Sequence, residues 1–415
     1  MRHEYTTDNP SKETSPLEQL LREHAQVMLA ATLDEEVNGF LERCKYQRTG
    51  NRRSYRNGYL PERSIGVGMA HVPVKVPRVR GLPEGLEFTS QHVRKYERQS
   101  PEQQRLLVQL YVEGLSSGDF EPVFRAFVDE TAGLSASSIG RLKEVWESEY
   151  NAWRTSPLKE WYPYIYAEGI YLRAGKEHEK TAMLVIIGVN VDGEKELLAL
   201  EMGYRESIQS WRDVLNALRY RGMSKAPLLS ISDGGLGWWG ALAEVYPSTR
   251  RQRCWNHRTL NVIDAIPKRL QKDARGEVRE IWSAQTKDQC LERRDRYCTH
   301  LRTQGQEKAA ACLERDWDDF VAFFDFPQEH WTHLRTTNPI ESIHAGVRNR
   351  TKIAKRMNTR ENAMYLVFKV VMRLSTNWRG INAPNQLQLP IACHTFTNGK
   401  LKLPPSPESK ETTAA

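Results

Sequence analysis

Three carboxylates stand where secondary-structure logic makes them odd. Glu168 interrupts "YIYAEGIYLR" (164–173), an otherwise apolar, aromatic segment of strand type, although acids are rarely buried unless paired or bound to metal. Asp233 closes "LLSISDGG" (228–235), at the end of a short apolar run. Glu341 falls in the first turn of a helix in "TTNPIESIHAGVRNR" (336–350). Each has an ordinary explanation: an outward position on an edge strand for Glu168, a turn or cap before Gly234-Gly235 for Asp233, and a capping box over Asn338-Pro339-Ile340-Glu341 for Glu341. Together they suggest a different chemistry. Three converging carboxylates can hold two Mg²⁺ or Mn²⁺ ions, hard cations that prefer oxygen ligands. Two such ions about 4 Å apart stabilise both the attacking and the leaving oxygen of an in-line phosphoryl displacement.

Positioning them needs a sheet and a helix. Residues 164–173, 181–191 and 195–202 read as three successive strands, the last two joined by the tight turn "VDGE" at 191–194. An amphipathic helix follows over 207–221, then a strand at 227–232, a helix at 236–246 and a strand at 250–255. If the first and fourth strands are neighbours, Glu168 and Asp233 meet near one edge, and a helix crossing the sheet brings in Glu341. Residues 256–324 carry a helical, highly charged pattern, and further helices begin near Asn338 and Arg360.

Upstream the character differs. Residues 17–41 have helical apolar spacing, whereas 50–81 is rich in Gly, Pro and Val and reads as a β-ribbon. Residues 100–153 return to helices, with a turn at Ala132-Gly133 that outlines a helix-turn-helix whose second helix presents Ser137, Ser138 and Arg141.

The chain has 415 residues and a formal net charge of +8. No apolar run approaches the ~20 residues of a membrane span, and the polar first sixteen residues carry no signal-peptide pattern, so a cytoplasmic location is expected. Six scattered cysteines, none in a CxxC pair, read as reduced thiols. Charge is clustered. Between Lys45 and Arg80 nine basic residues, including Arg52, Arg53, Arg56, Lys75, Arg78 and Arg80, face one acid, Glu62. From Arg348 to Arg360 six basic residues, among them Arg350, Lys352 and Lys355, face none. Tyr46, Tyr55 and Tyr59 interleave with the first cluster, which suits a surface that contacts phosphates and stacks on bases.

With these motifs in order, the sequence resembles the Mutator-type transposases of bacterial insertion sequences. The resemblance runs over most of the chain and is strongest in "SDGGLGWWGALAEVYPSTRRQRCWNH" (232–257) and "FDFPQEHWTHLRTTNPIESIHAGVRNRTKIAKR" (324–356). It implies an Asp-Asp-Glu active site on a ribonuclease-H-like α/β mixed sheet with an all-helical insertion, preceded by β-ribbon and helix-turn-helix DNA-binding regions. Asp233 matches the second catalytic Asp and Glu341 the catalytic Glu. Glu168 stands where the family has Asp, which keeps the charge but moves it one methylene outward. Cys254 and His257 match a Cys-x-x-His signature. Read from the residues, that pair lacks the second pair a four-ligand zinc site needs, leaving a structural or substrate-positioning role beside the site.

The implied organisation is an N-terminal helical region (1–45), a basic β-ribbon (46–99) and a helix-turn-helix domain (100–158). A catalytic core follows in two parts (159–257 and 331–380) around a helical insertion (258–330), ending in a tail (381–415). Implied partners are double-stranded DNA, as terminal inverted repeats and target, and a second copy in a homodimer, in the bacterial cytoplasm at the nucleoid. Implied chemistry is nicking and strand transfer with two Mg²⁺ or Mn²⁺ ions, by a copy-out, paste-in route. The alternatives are a copy weakened or disabled by Glu168 that only binds DNA, and a ribonuclease acting on RNA–DNA hybrids.

Overall fold

The structure, a computed structural model, describes residues 16–42, 54–67, 70–95, 109, 136–173, 180–203, 205–353 and 360–402. Arg52, Arg53 and Lys355, and the first helix and turn of the expected helix-turn-helix, lie outside them. The chain divides into two compact units, residues 1–142 and 143–415.

In the first unit α1 (Pro16–Phe40) covers residues 17–40 of the helical pattern read from 17 to 41. The Val- and Gly-rich segment forms β1 (Tyr55–Tyr59), β2 (Arg63–Val67), β3 (Ala70–Val74) and β4 (Pro77–Arg80). They pair as two antiparallel ribbons, β1 with β4 and β2 with β3. Alternation along β3 and its continuation sends Val72, Val74 and Val76 inward, where they pack with Leu33 of α1, Ile65 and Val93. The basic residues of the ribbons are partly engaged within the unit. Arg56 is bound by Asp34 of α1, and Lys75 reaches Glu62 at 3.1 Å.

The division falls within α2 (Ala136–Thr155), whose first residues, in the first unit, hold Ser137, Ser138 and Arg141; the side chains of these three are outside the described part. A five-stranded mixed sheet follows: β5 (Tyr164–Arg173), β6 (Lys180–Val189) and β7 (Lys195–Gly203), then α3 (Ile208–Tyr220), β8 (Leu229–Ser232), α4 (Leu236–Val245) and β9 (Arg250–Arg253). The spatial order is β7-β6-β5-β8-β9. The first three strands are antiparallel, while β8 and β9 run parallel to β5. The parallel crossovers are the helices α3 and α4, as a parallel connection requires.

Period-two alternation decides which layer covers each face. Ile165 and Ala167 of β5, Leu184 and Ile186 of β6 and Leu198 of β7 turn towards α3 and α4. They meet Trp211, Val214, Leu215 and Leu218, the i, i+3, i+4, i+7 stripe of α3, and Trp238 and Leu242 of α4. The Trp211 and Trp238 rings meet edge to face at 4.9 Å. Each such side chain contributes roughly 1.5–3 kcal/mol by leaving water.

After β9 the chain is helical: α5 (Trp255–Asp264), α6 (Gln271–Trp282), α7 (Lys287–Thr303) and α8 (Glu307–Glu314), with short 3₁₀ turns up to residue 330. The chain then returns through α9 (Trp331–Leu334) to α10 (Asn338–Ile353), which packs on β5 and β6, and α11 (Arg360–Ser375), which packs on β7. Tyr164 and Tyr166 face this second layer. The Tyr164 hydroxyl is 3.0 Å from His330 Nδ1, and that of Tyr166 donates to the His333 carbonyl at 3.1 Å. Among the described residues no helix is long and apolar enough to cross a membrane.

Candidate active site

Glu168 continues the Tyr164–Tyr166 face of β5, so it points into the layer holding α5 and α10 rather than outward at an edge. Its strand lies between β6 and β8, and the residue is only 5% exposed. Oε1 lies 3.5 Å from His257 Nε2 and 3.6 Å from His344 Nδ1. Oε2 is buried with no hydrogen-bond partner. Burial pushes the carboxyl up to about 7. The His257 charge opposes that rise, and the nearby Asp233 and Glu341 carboxylates reinforce it.

Asp233 arrives as expected, just past the end of β8. The pairing of β5 with β8 stops at Ala167 and Ser232, so Glu168 and Asp233 are the next residues on neighbouring strands at the step where β8 ends. Asp233 Oδ1 accepts from Gly235 N at 2.9 Å and Ser232 Oγ at 3.2 Å. That is the turn chemistry the Asp-Gly-Gly sequence suggests. Gly234 has φ +100°, and a Cβ there would stand 2.1 Å from the Arg253 guanidinium, so the turn needs glycine at that point.

Glu341 is aimed by its neighbours and not by a capping box. Its main-chain N–H donates to the Thr337 carbonyl at 3.0 Å. Its two carboxylate oxygens each accept from Asn256 Nδ2 at 3.2 Å, and Oε1 also accepts from the Thr337 hydroxyl at 3.4 Å. Asn338 Oδ1, the expected cap acceptor, takes a hydrogen bond from Asn256 Nδ2 at 2.8 Å instead.

Cys254 and His257 frame this cluster. Cys254 caps α5 and is fully buried. Its main chain continues the sheet to Ser232 (2.8 Å). Its Sγ accepts from the Thr337 N–H and hydroxyl at 3.4 Å and donates to Glu341 Oε1 at 3.8 Å. Burial pushes the thiol up to about 11, so it stays protonated and can donate. One turn on, His257 turns to Glu168. Among the described residues, Cys254, His257 and Glu341 bring ligand atoms within 4.8 Å of one another. An orphaned, buried carboxylate oxygen near two further acids suits a hard divalent cation such as Mg²⁺ or Mn²⁺.

Thr337, Asn256 and His344 escaped the reading of the sequence, and all three serve the site. His344 follows Glu341 by three residues and Thr337 precedes it by four, so helical spacing was their available signal. His344 is pushed down to about 4, first by burial and then by the charges of Arg348 and His257. Arg348 lies on the exposed side of α10, and Arg350 and Lys352 follow on the same helix.

Comparison with known proteins bears on what such a site does. Residues 3–380 match the family model described as "Transposase, Mutator family". The transposase for insertion sequence element IS6120 of Mycolicibacterium smegmatis is 41% identical over 293 residues, 70% of this chain and 90% of that protein. The transposase for IST2 of Acidithiobacillus ferrooxidans is 40% identical over 272 residues, 65% of this chain and 92% of that protein. The transposase for IS256 in transposon Tn4001 of Staphylococcus aureus is 28% identical over 352 residues, 83% and 87% of the two chains.

Proposed function

This chain belongs to the Mutator family of transposases, nucleic-acid-processing enzymes that act on DNA, and we propose that it nicks and joins insertion-sequence ends at Glu168, Asp233 and Glu341. The observation that carries this reading is that Glu168 and Asp233 are the next residues on neighbouring strands where the β5–β8 pairing stops, with Asp233 and Glu341 both near enough to raise the Glu168 carboxyl and one Glu168 oxygen buried and unpartnered. The strand order supports a ribonuclease-H-like core, since three antiparallel strands continue into two parallel ones reached through helices. On this reading residues 159–257 and 331–380 are the two parts of the core and 258–330 its insertion.

The three carboxylates would hold two Mg²⁺ or Mn²⁺ ions, which supply the positive charge that activates the nucleophile and neutralises the leaving oxygen. The protein's own share is positioning. Asn256 and Thr337 hold the Glu341 carboxylate in one orientation. The Asp-Gly-Gly turn fixes Asp233. Both imidazoles lie against one oxygen of Glu168 and leave the other free. Arg348, Arg350, Lys352 and Lys355 would grip DNA phosphates beside the site. Arg52, Arg53, Arg56, Lys75, Arg78 and Arg80 would meet the terminal repeats through the ribbons, with Ser137, Ser138 and Arg141 in a helix-turn-helix. The resemblance adds a homodimer on paired ends, a copy-out, paste-in route, and work at the nucleoid.

A second reading has its basis in Glu168, since the resembling family has Asp there: a chain that binds ends without cutting them. Incubating a labelled terminal-repeat duplex with the protein and Mg²⁺ or Mn²⁺ separates the two. Nicking by the natural chain, lost in Glu341→Gln with DNA binding retained, is the expected result. Cleavage that appears only in Glu168→Asp supports the second reading. A chain that neither binds nor cuts the duplex overturns both.

A further inference from the structure

Arg253 ends β9 and pairs with Ser232 on the neighbouring strand, the residue just before Asp233. Its guanidinium lies against the main chain of the Asp233 turn. Nη2 donates to the Asp233 carbonyl at 3.4 Å. Nη2, Nε and Cζ are also the atoms nearest the point where a Gly234 Cβ would stand. Glycine at 234 lets the side chain approach the backbone of the turn this closely.

The other side of the guanidinium is held by a stretch more than sixty residues further along the chain. Nη1 donates to the Asp316 carboxylate, and Cζ stands 5.3 Å from the centroid of the Phe320 ring. Asp316 precedes the 3₁₀ turn Trp317–Phe320 and has φ +57°, a left-handed conformation that a residue with a Cβ adopts at a cost. The same stretch is fastened to the strand end on either side of Arg253. The Phe320 carbonyl accepts from Gln252 Nε2 at 3.1 Å and from Trp255 Nε1 at 2.9 Å, and the Phe323 N–H donates to Gln252 Oε1 at 2.9 Å. Gln252 and Trp255 are fully buried. The Arg253 side chain is only 12% exposed, so its pair with Asp316 is shielded from water at the end that meets the turn. The second arginine pair of this strand, Arg250 with Asp325 at 2.5 Å, is more exposed and lies at the opposite end of β9.

We infer that Arg253 is a positioning residue for Asp233, and that Asp316 and Phe320 hold it in place. The inference rests on the proposed metal-dependent site and deepens it. The 316–320 stretch, which that reading assigns to the helical insertion, acts on the metal-binding turn through one guanidinium. Neutralising Asp316 removes a charge-assisted hydrogen bond. The guanidinium is then free to leave the Asp233 carbonyl, and the turn that aims the Asp233 carboxylate loses its support.

Calorimetric titration of the full chain with Mn²⁺ alone, beside melting curves in chelator, separates positioning from general bracing of the fold. Asp316→Asn keeps a residue type that tolerates the left-handed region and removes the charge. It is expected to weaken Mn²⁺ binding by ~10- to 100-fold, the range seen when a group that orients a metal ligand is lost. Arg253→Lys should do the same, because a compact ammonium cannot bridge Asp316 and the Asp233 carbonyl as the planar fork does. The double variant should bind no more weakly than the weaker single variant, since both changes break one strut. Asp316→Glu restores the charge and should recover part of the loss. Asp325→Asn, which breaks the Arg250 pair, should titrate like the natural chain. If Arg253→Lys fails to fold, Asp316→Asn and Asp316→Glu, at an exposed position, carry the comparison. Natural affinity in Asp316→Asn, or an equal loss in Asp325→Asn, overturns the inference and leaves the three-carboxylate site standing. A natural chain that does not bind Mn²⁺ overturns the inference together with the reading beneath it.

Discussion

Replacing Glu168 by Gln should stabilise the metal-free protein while removing its response to metal. Burial, reinforced by Asp233 and Glu341, lifts this carboxyl from the ordinary 4.5 to about 7. An acid raised in this way opposes folding once it ionises. The penalty is absent below the unfolded value, grows between pH 4.5 and about 7, and is complete above that. At about 1.4 kcal/mol per tenfold change in proton affinity, it amounts to about 3 kcal/mol at pH 8 and under about 1 kcal/mol at pH 5. Gln has nearly the same shape and no charge, so Glu168→Gln should recover most of that difference. Melting curves in chelator at pH 8 should therefore rise by several degrees, taking roughly 2–4 °C per kcal/mol for a domain of this size, with little gain at pH 5. The neutral, buried His344 also makes folding pH-dependent, losing stability as pH falls from 6.5 towards 4; that contribution is absent at pH 8, where the gain of the variant is expected. Added Mg²⁺ should raise the natural protein more as pH rises, because ion and proton compete for one carboxylate, and should leave Glu168→Gln unmoved. A variant that melts at or below the natural protein in chelator at pH 8, or that gains equally at pH 5, would refute the reasoning.

Asn256→Ala should cost about 10- to 100-fold in cleavage or metal affinity, since it removes the amide that spans both Glu341 oxygens; a metal titration beside a nicking assay measures both. Gly234→Ala should lower stability by about 1–3 kcal/mol, because its φ of +100° is a backbone conformation that a residue with a Cβ adopts only under strain. Cleavage should fall with it as the Asp233 turn distorts, and an unchanged melting temperature would contradict the assigned turn. Asp233→Asn should preserve duplex binding in a gel-shift assay while nicking drops by at least about 10²-fold, the cost of misplacing reacting groups.

Much of the second unit was legible because its signals are periodic. Alternation marked β5, β6 and β7, the Trp211–Leu218 stripe marked α3, and the Asp-Gly-Gly sequence marked the turn that holds Asp233. The proximity of Glu168 and Asp233 followed from one assumption, that the first and fourth strands are neighbours, and the sheet has that order. The basic clusters were a weaker guide. Counting charges between Lys45 and Arg80 does not reveal that Arg56 is held by Asp34, 22 residues earlier on another element. The capping pattern at 338–341 misled in a similar way, because Asn256, 82 residues upstream, takes the Asn338 side chain and holds the Glu341 carboxylate as well.

The most direct test of a carboxylate metal site is anomalous diffraction from crystals soaked in Mn²⁺. Two manganese peaks at the step between β5 and β8, both within reach of Asp233 and bounded by Glu168 and Glu341, are the expected result. A single peak on Cys254 and His257 away from Asp233, or no peak at saturating Mn²⁺, would contradict the central claim.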